Sequence, residues 1–131
     1  MYASDVVEHA SEVVIIRDLR GVRLTAEPEL LADVNTFIEK ILGDGTFEAI
    51  CNKYLGSGDG EKVGVASAEF DADKDQLIVA TNAEFAPFEY KDGDLYYGID
   101  MEVAALLAKE LGKELVIDNM DFEAVCLSVG Q

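Results

Sequence analysis

From Leu30 the apolar residues recur as Leu30, Leu31, Val34, Phe37, Ile38, Ile41 and Leu42, a broad stripe along one side of an α-helix. Pro28 suits the first turn of that helix and Gly43 its end. After an Asp44-Gly45 turn, Thr46 is placed to cap a second helix that turns Phe47, Ile50, Cys51, Tyr54 and Leu55 inward, and Gly56 stops it. Ahead of these helices, residues 13–16 form a continuous run of β-branched and apolar side chains, the pattern of a strand covered on both faces, with Ser4 able to cap a short helical turn before it. The second half alternates again. A strand is expected over 77–81, a turn at Asp92-Gly93-Asp94, and a further extended stretch over 95–98. Asp100 then caps a helix over 101–111 that buries Val103, Leu106, Leu107 and Leu111, with Gly112 as its stop. Residues 115–118 read as another strand, and Asp121 as the cap of a last helix over 122–129.

Between the halves the character changes. Gly56, Ser57, Gly58, Asp59 and Gly60 are flexible, and Asp71, Asp73 and Asp75 carry dense charge, so residues 57–75 read as a linker. Val63, Val65, Ala66 and Phe70 are apolar enough for part of it to dock as a short strand over 63–66. Strands alternating with helices predict an α/β fold built on a mostly parallel sheet with flanking helices and right-handed crossovers. In such a sheet a ligand sits at the carboxyl ends of the strands, which directs attention to the loops after Thr81 and Ile117.

Length and charge narrow the class. The 131 residues suit a single domain, and half of them are hydrophobic, enough for a real core. A formal net charge of −17 argues against nucleic acid and anionic lipid as partners. No apolar stretch approaches the roughly 18 residues of a spanning helix, so membrane insertion is not expected, and the first ten residues lack the basic start and apolar run of a secretion signal. Cys51 and Cys126 both fall on apolar helix faces and read as small buried hydrophobes rather than a disulfide.

The most specific signal is a constellation. After the strand over 77–81 comes Asn82-Ala83-Glu84-Phe85-Ala86-Pro87-Phe88-Glu89-Tyr90, then Gly98-Ile99-Asp100-Met101-Glu102, Leu107, Ala108, Leu111, Gly112 and Met120-Asp121-Phe122. This block resembles the opening of the polar amino acid family of extracellular solute-binding proteins, the receptors of ABC importers. Residues 30–56 resemble the close of the same family, through Asn35, Asp44-Gly45-Thr46 and Lys53-Tyr54-Leu55-Gly56, and residues 2–17 more loosely resemble the strand leading into its first hinge. The resemblance implies one α/β lobe over 1–131, similar to lobe one of a type II periplasmic binding protein. Its C-terminal-type segment (1–56) stands first, a linker (57–75) follows, and its N-terminal-type segment (76–131) comes last. Such a circular permutation is physically reasonable because domain termini lie at the surface and often close together.

Carried over position by position, the resemblance places Asn82 where a side chain receives a ligand ammonium, Phe85 where an aromatic packs on the ligand, and Phe122 where an apolar residue closes the pocket. Asn82 stands where Asp is commoner, which removes a full charge from the ammonium site. Phe88 reads as core; Phe85 fits either core or ligand wall. The family's Ser/Thr-rich carboxylate clamp and its Arg follow a third strand that lies beyond Gln131. Arg17, Arg20 and Arg23 match it in no pattern and read as solvated charges. The implied function is the ligand-binding lobe of an amino acid ABC transporter receptor with weak or no binding of its own, since a cleft with one wall leaves its ligand in water. Its partners would be an amino acid and, in the parent protein, the transporter permease, and its location extracytoplasmic. The alternative is a truncated or tandem-fusion fragment that associates through an open sheet edge, as a homodimer that exchanges segments or as a structural domain without ligand.

Other candidate chemistry is thin. Asp71, Asp73 and Asp75 have the spacing of a calcium loop, but Gln76 and Asn82 stand where Gly and Glu are needed, and a solvated acidic linker accounts for them. His9 has no nucleophile or metal-ligand neighbours in sequence, Ser128 lacks a nucleophile-elbow setting, and Gly56, Gly58 and Gly60 precede no phosphate-loop Lys. No cofactor, metal or enzymatic activity is expected.

Overall fold

The computed structural model describes residues 14–18, 28–55, 58, 60–121, 123 and 124. Ser4, His9, Arg20, Arg23, Gly56, Phe122, Cys126, Ser128 and most of the helix expected over 122–129 lie outside the described residues.

The main sheet has three strands, β1 (Val14–Asp18), β2 (Gln76–Thr81) and β6 (Glu114–Asn119), in the order β1-β2-β6. β2 and β6 are parallel, with Gln76 opposite Glu114 and Thr81 opposite Asn119. β1 runs antiparallel to β2, Val14 facing Thr81. The fold is therefore α/β as expected, on a sheet that mixes one parallel and one antiparallel pair. A crossover helix, α3 (Ile99–Leu111), connects β2 to β6, as a parallel pair requires.

Most of the helix stripe read from the sequence is buried, but Leu42, expected on it, is exposed at the helix end. Leu30, Val34, Phe37, Ile38 and Ile41 of α1 (Pro28–Gly43) share one core with Leu77 and Val79 of β2, Leu115 and Ile117 of β6, and Met101, Ala104, Leu107 and Ala108 of α3. Strand alternation explains the membership: Leu77 pairs with Leu115 and Val79 with Ile117, so these four side chains share one sheet face. Ile78 and Val116, one position on, are buried outside that cluster.

Two helix starts differ from expectation. α2 (Thr46–Tyr54) has Gly45 at its N-cap position, and Asp44 Oδ1 accepts the Thr46 N–H at 2.9 Å, so Asp44 does the work foreseen for Thr46. α3 begins at Ile99 after Gly98, and Asp100 is a buried residue of its first turn rather than a cap. Backbone geometry explains the glycine. Gly98 has φ +119°, and a Cβ there would stand 2.3 Å from the Phe88 carbonyl oxygen, a clash no side chain can relieve.

A second, antiparallel sheet lies between β2 and α3: β3 (Glu84–Phe85), β4 (Glu89–Asp92) and β5 (Leu95–Tyr97). The predicted Asp92-Gly93-Asp94 turn closes its β4–β5 hairpin, with Asp92 opposite Leu95. β3 and β4 escaped the pattern because Glu84, Glu89 and Lys91 look like loop residues.

Residues 60–75 are docked rather than free. Val65 makes an isolated antiparallel bridge with Tyr96, sharing hydrogen bonds of 2.7 and 2.8 Å. The short strand expected over 63–66 is reduced to that one bridge. Gly64 permits the approach, since a Cβ on it would meet Leu95 Cδ1 at 2.6 Å and the Tyr97 hydroxyl at 2.9 Å.

The two halves of the chain are tied at Glu102, on α3 and almost fully buried. Its Oε1 accepts from Lys53 Nζ at 2.7 Å, and its Oε2 accepts from the Tyr54 hydroxyl and, at 3.3 Å, from the Val63 N–H. One carboxylate thus holds the end of α2 and the start of the docked segment. Burial, then the hydrogen bond to Glu102, raises the Tyr54 phenol well above its ordinary range. The Lys40–Glu110 pair between α1 and α3, 3.0 Å apart, is exposed on both sides and contributes little.

Candidate functional site

The carboxyl ends of β2 and β6 lie side by side, and the loops that leave them are clasped together. The Met120 N–H donates to the Thr81 carbonyl at 2.9 Å, extending the ladder one residue past β6. Asn82 Nδ2 donates to the Met120 carbonyl at 2.9 Å, and Asn119 Oδ1 accepts the Ala83 N–H at 2.9 Å. Each loop therefore lends the other an asparagine side chain. Asn82 is 8% exposed, so its amide is held almost entirely out of water.

That orientation decides what Asn82 can do. With Nδ2 committed to Met120, Oδ1 is the atom left to act, and among the described residues it accepts no hydrogen bond. A side-chain amide oxygen of this kind is an acceptor for an ammonium or another N–H donor. Beside it, Thr81 is completely buried and its Oγ1 has no hydrogen-bond partner among the described residues. The chain then turns through Glu84 N–H to the Asn82 carbonyl (2.9 Å) and Phe88 N–H to the Phe85 carbonyl (2.8 Å).

Phe85 is 37% exposed, whereas Phe88 is half-buried. Phe85 is therefore not a core residue, and the loop offers it as an exposed apolar surface. Phe122 lies outside the described residues. Sequence reasoning missed Asn119 and Met120, which make the clasp. The readable signal was an Asn at the carboxyl end of an apolar strand, a position that favours side-chain to backbone bonding.

The cations described nearby in sequence are engaged elsewhere: Lys91 lies over the Tyr96 ring and Lys62 over Tyr54. Arg17 sits in β1 opposite Ile78. A depression of about 600 Å³ lined by Glu69, Phe70, Asp71, Lys74 and Glu114 lies at the other end of the sheet, by the amino ends of β2 and β6. It is open and acidic, and the buried amide and exposed aromatic at the carboxyl ends make the better-built site.

The acidic run at 71–75 forms a turn, with Asp71 Oδ1 accepting the Asp73 N–H at 3.0 Å and Asp75 paired with Lys113 at 3.2 Å. Among the described residues, no group of three or more His, Cys, Asp or Glu is placed to hold a metal ion. Cys51 is a free thiol whose pKa is raised, first by burial and then by Asp100 and Glu48, away from thiolate reactivity. Among the described residues, no helix is long and apolar enough to cross a membrane.

Comparison with known proteins bears on the same stretch. Residues 77–131 match the family described as bacterial extracellular solute-binding proteins, family 3. The arginine-binding extracellular protein ArtP of Bacillus subtilis is 40% identical over 62 residues, covering 47% of this chain and 24% of that protein. The "Probable ABC transporter arginine-binding protein ArtJ" of Chlamydia trachomatis is 35% identical over 63 residues, again 47% of this chain and 24% of its own length. The chain thus spans about a quarter of the length of these relatives. No solved structure matches the chain.

Proposed function

We propose, on the match of residues 77–131 to the bacterial extracellular solute-binding proteins, family 3, that this chain is the first lobe of an amino acid receptor serving an ABC importer. In it a C-terminal-type segment, 1–56, stands ahead of an N-terminal-type segment, 76–131, with 57–75 between them. The shared core of α1 with β2, α3 and β6 supports reading both segments as one lobe. The partners in the parent protein are the amino acid and the transporter permease, and the setting is extracytoplasmic.

The observation that carries the reading is the clasp, which presents the Asn82 oxygen and the exposed Phe85 ring on one loop of the matched stretch. Asn82 Oδ1 accepts from the ligand ammonium, Phe85 packs on its side chain, and Phe122 closes the pocket. The net charge of −17 attracts cationic ligands, and both named relatives are arginine-binding, so arginine is the first probe. One wall of a cleft binds weakly, so affinity is millimolar or poorer.

NMR titration of the isotope-labelled chain with arginine tests this. Amide shifts at 82–85 and 119–120 are expected, larger for arginine than for glutamate. Asn82→Ala, which removes both the acceptor and the bond to Met120, should abolish binding, and Asn82→Asp, which cannot donate to the Met120 carbonyl, should weaken it. Unchanged spectra in all three proteins at tens of millimolar arginine would remove ligand binding from this chain.

A further inference from the structure

β6 is an end strand of the main sheet, and an end strand presents backbone N–H and C=O groups that another chain can pair with. Parity identifies which groups face outward. The Met120 N–H bonds to Thr81 in β2, so even-numbered positions turn inward and Leu115, Ile117 and Asn119 turn to the outer edge. Two of those three are met by the docked segment. The Ala68 N–H donates to the Leu115 carbonyl at 2.9 Å, and the Ile117 N–H donates to Ser67 Oγ at 2.7 Å. The hydroxyl proton of Ser67 has two acceptors in reach, the Ala68 carbonyl at 3.0 Å and the Ile117 carbonyl at 3.4 Å.

A side-chain hydroxyl therefore stands where the carbonyl of a neighbouring strand would stand. Both flanks of the segment are anchored by other groups. Val65 is bridged to Tyr96, and the fully buried Gln76 donates through Nε2 to the Glu69 carbonyl and accepts the Asp71 N–H, each at 2.9 Å. Anchoring on both sides makes the position of Ser67 a property of the fold rather than of a free loop.

We propose that Ser67 is a latch, and that residues 65–68 are this chain's own occupant of the β6 edge, closing it against a second copy. The excluded partner is the same edge of another molecule. A two-fold axis sets the odd-numbered groups of one β6 against those of its copy in antiparallel pairing, and Leu115-Val116-Ile117 is the kind of branched, apolar run that pairs well. The latch stands independently of ligand binding.

The test compares the full chain with Ser67→Ala and Ser67→Thr, by residue-resolved amide exchange and by light scattering across concentration. The wild type should be monomeric with a protected Ile117 amide. Ser67→Ala should speed Ile117 exchange roughly tenfold, the scale of one net hydrogen bond, and shift the chain toward dimer as concentration rises. Leu77 and Val79, in the central strand, should keep their protection and certify the fold. Ser67→Thr, which retains a hydroxyl, should restore the wild-type pattern in both measurements. Unchanged Ile117 exchange in Ser67→Ala overturns the latch, as does faster exchange without a dimer at any concentration, a Thr variant no better than Ala, or a wild type already paired through this edge.

Discussion

Glu102 offers the sharpest energetic test because one carboxylate serves three donors from two other segments. It is 6% exposed, and Lys53, its ion-pair partner at 2.7 Å, is 20% exposed. Glu102→Ala strands the Lys53 ammonium, the Tyr54 hydroxyl and the Val63 N–H. Breaking a fully buried ion pair from one side costs roughly 3–5 kcal/mol. Water can still reach Lys53, which lowers that contribution to about 2 kcal/mol, and the Tyr54 hydroxyl left without its acceptor adds about 1 kcal/mol. The 3.3 Å bond from Val63 is the weakest of the three and adds least. The expected loss is thus about 3 kcal/mol, a large share of the 5–15 kcal/mol typical of a domain.

Urea unfolding followed by far-ultraviolet circular dichroism measures it. The midpoint should fall with the slope unchanged, because the native surface is hardly altered. Glu102→Gln keeps an acceptor oxygen but removes the charge, and should lose about half as much. A double-mutant cycle with Lys53→Met isolates the pair, with a coupling of at least about 1 kcal/mol expected. A loss below about 0.5 kcal/mol for Glu102→Ala, the scale of an ordinary surface substitution, would refute the reasoning, as would strictly additive effects of Lys53→Met and Glu102→Gln.

Three further variants test other features of the structure. The Tyr54 phenol has its folded pKa raised above the ordinary 10.0, so the stability it contributes is fully present below pH 10 and is lost as pH rises through the folded value. Denaturant midpoints should therefore fall from about pH 9.5 upward, and Tyr54→Phe should flatten that fall; an identical pH profile would refute it. Gly98→Ala, with its 2.3 Å clash and positive φ, should lose at least about 2 kcal/mol in thermal or urea melts. Gly43→Ala ends a helix with nothing within 4 Å of the new methyl and should gain about 0.5 kcal/mol; equal shifts in the two variants would contradict the backbone account.

Much of the architecture was legible because its signals are local. The α1 stripe announces a helix by its 3.6-residue period, and the apolar runs of β2 and β6 announce strands covered on both faces. What escaped depends on partners far away in sequence. Glu89 looks like a surface residue, yet it is fully buried in β4, where it pairs with Phe85. Asp100 has every mark of a helix cap, but Gly98 is needed two residues earlier to let the chain pass Phe88, and it takes the cap position of a helix that starts at Ile99. In the candidate site Asn82 and Phe85 were recognisable from their motif. Their setting was not, because Asn119 and Met120 reach Asn82 and Ala83 across the parallel pair, and no spacing rule encodes register between strands 38 residues apart.

The core described above also sets an order of events during synthesis. The α1 stripe ends at Ile41, while the strand that completes its cover, β6, holds its core residues at Leu115 and Ile117. About 76 residues must be added after the stripe before that strand exists, which at roughly 5–20 residues per second is on the order of four to fifteen seconds. During that interval α1 can pack against α2 and, once residues 77–81 are made, against β2, but the face formed by Leu115 and Ile117 is still missing, so its apolar stripe stays partly uncovered until β6 is made.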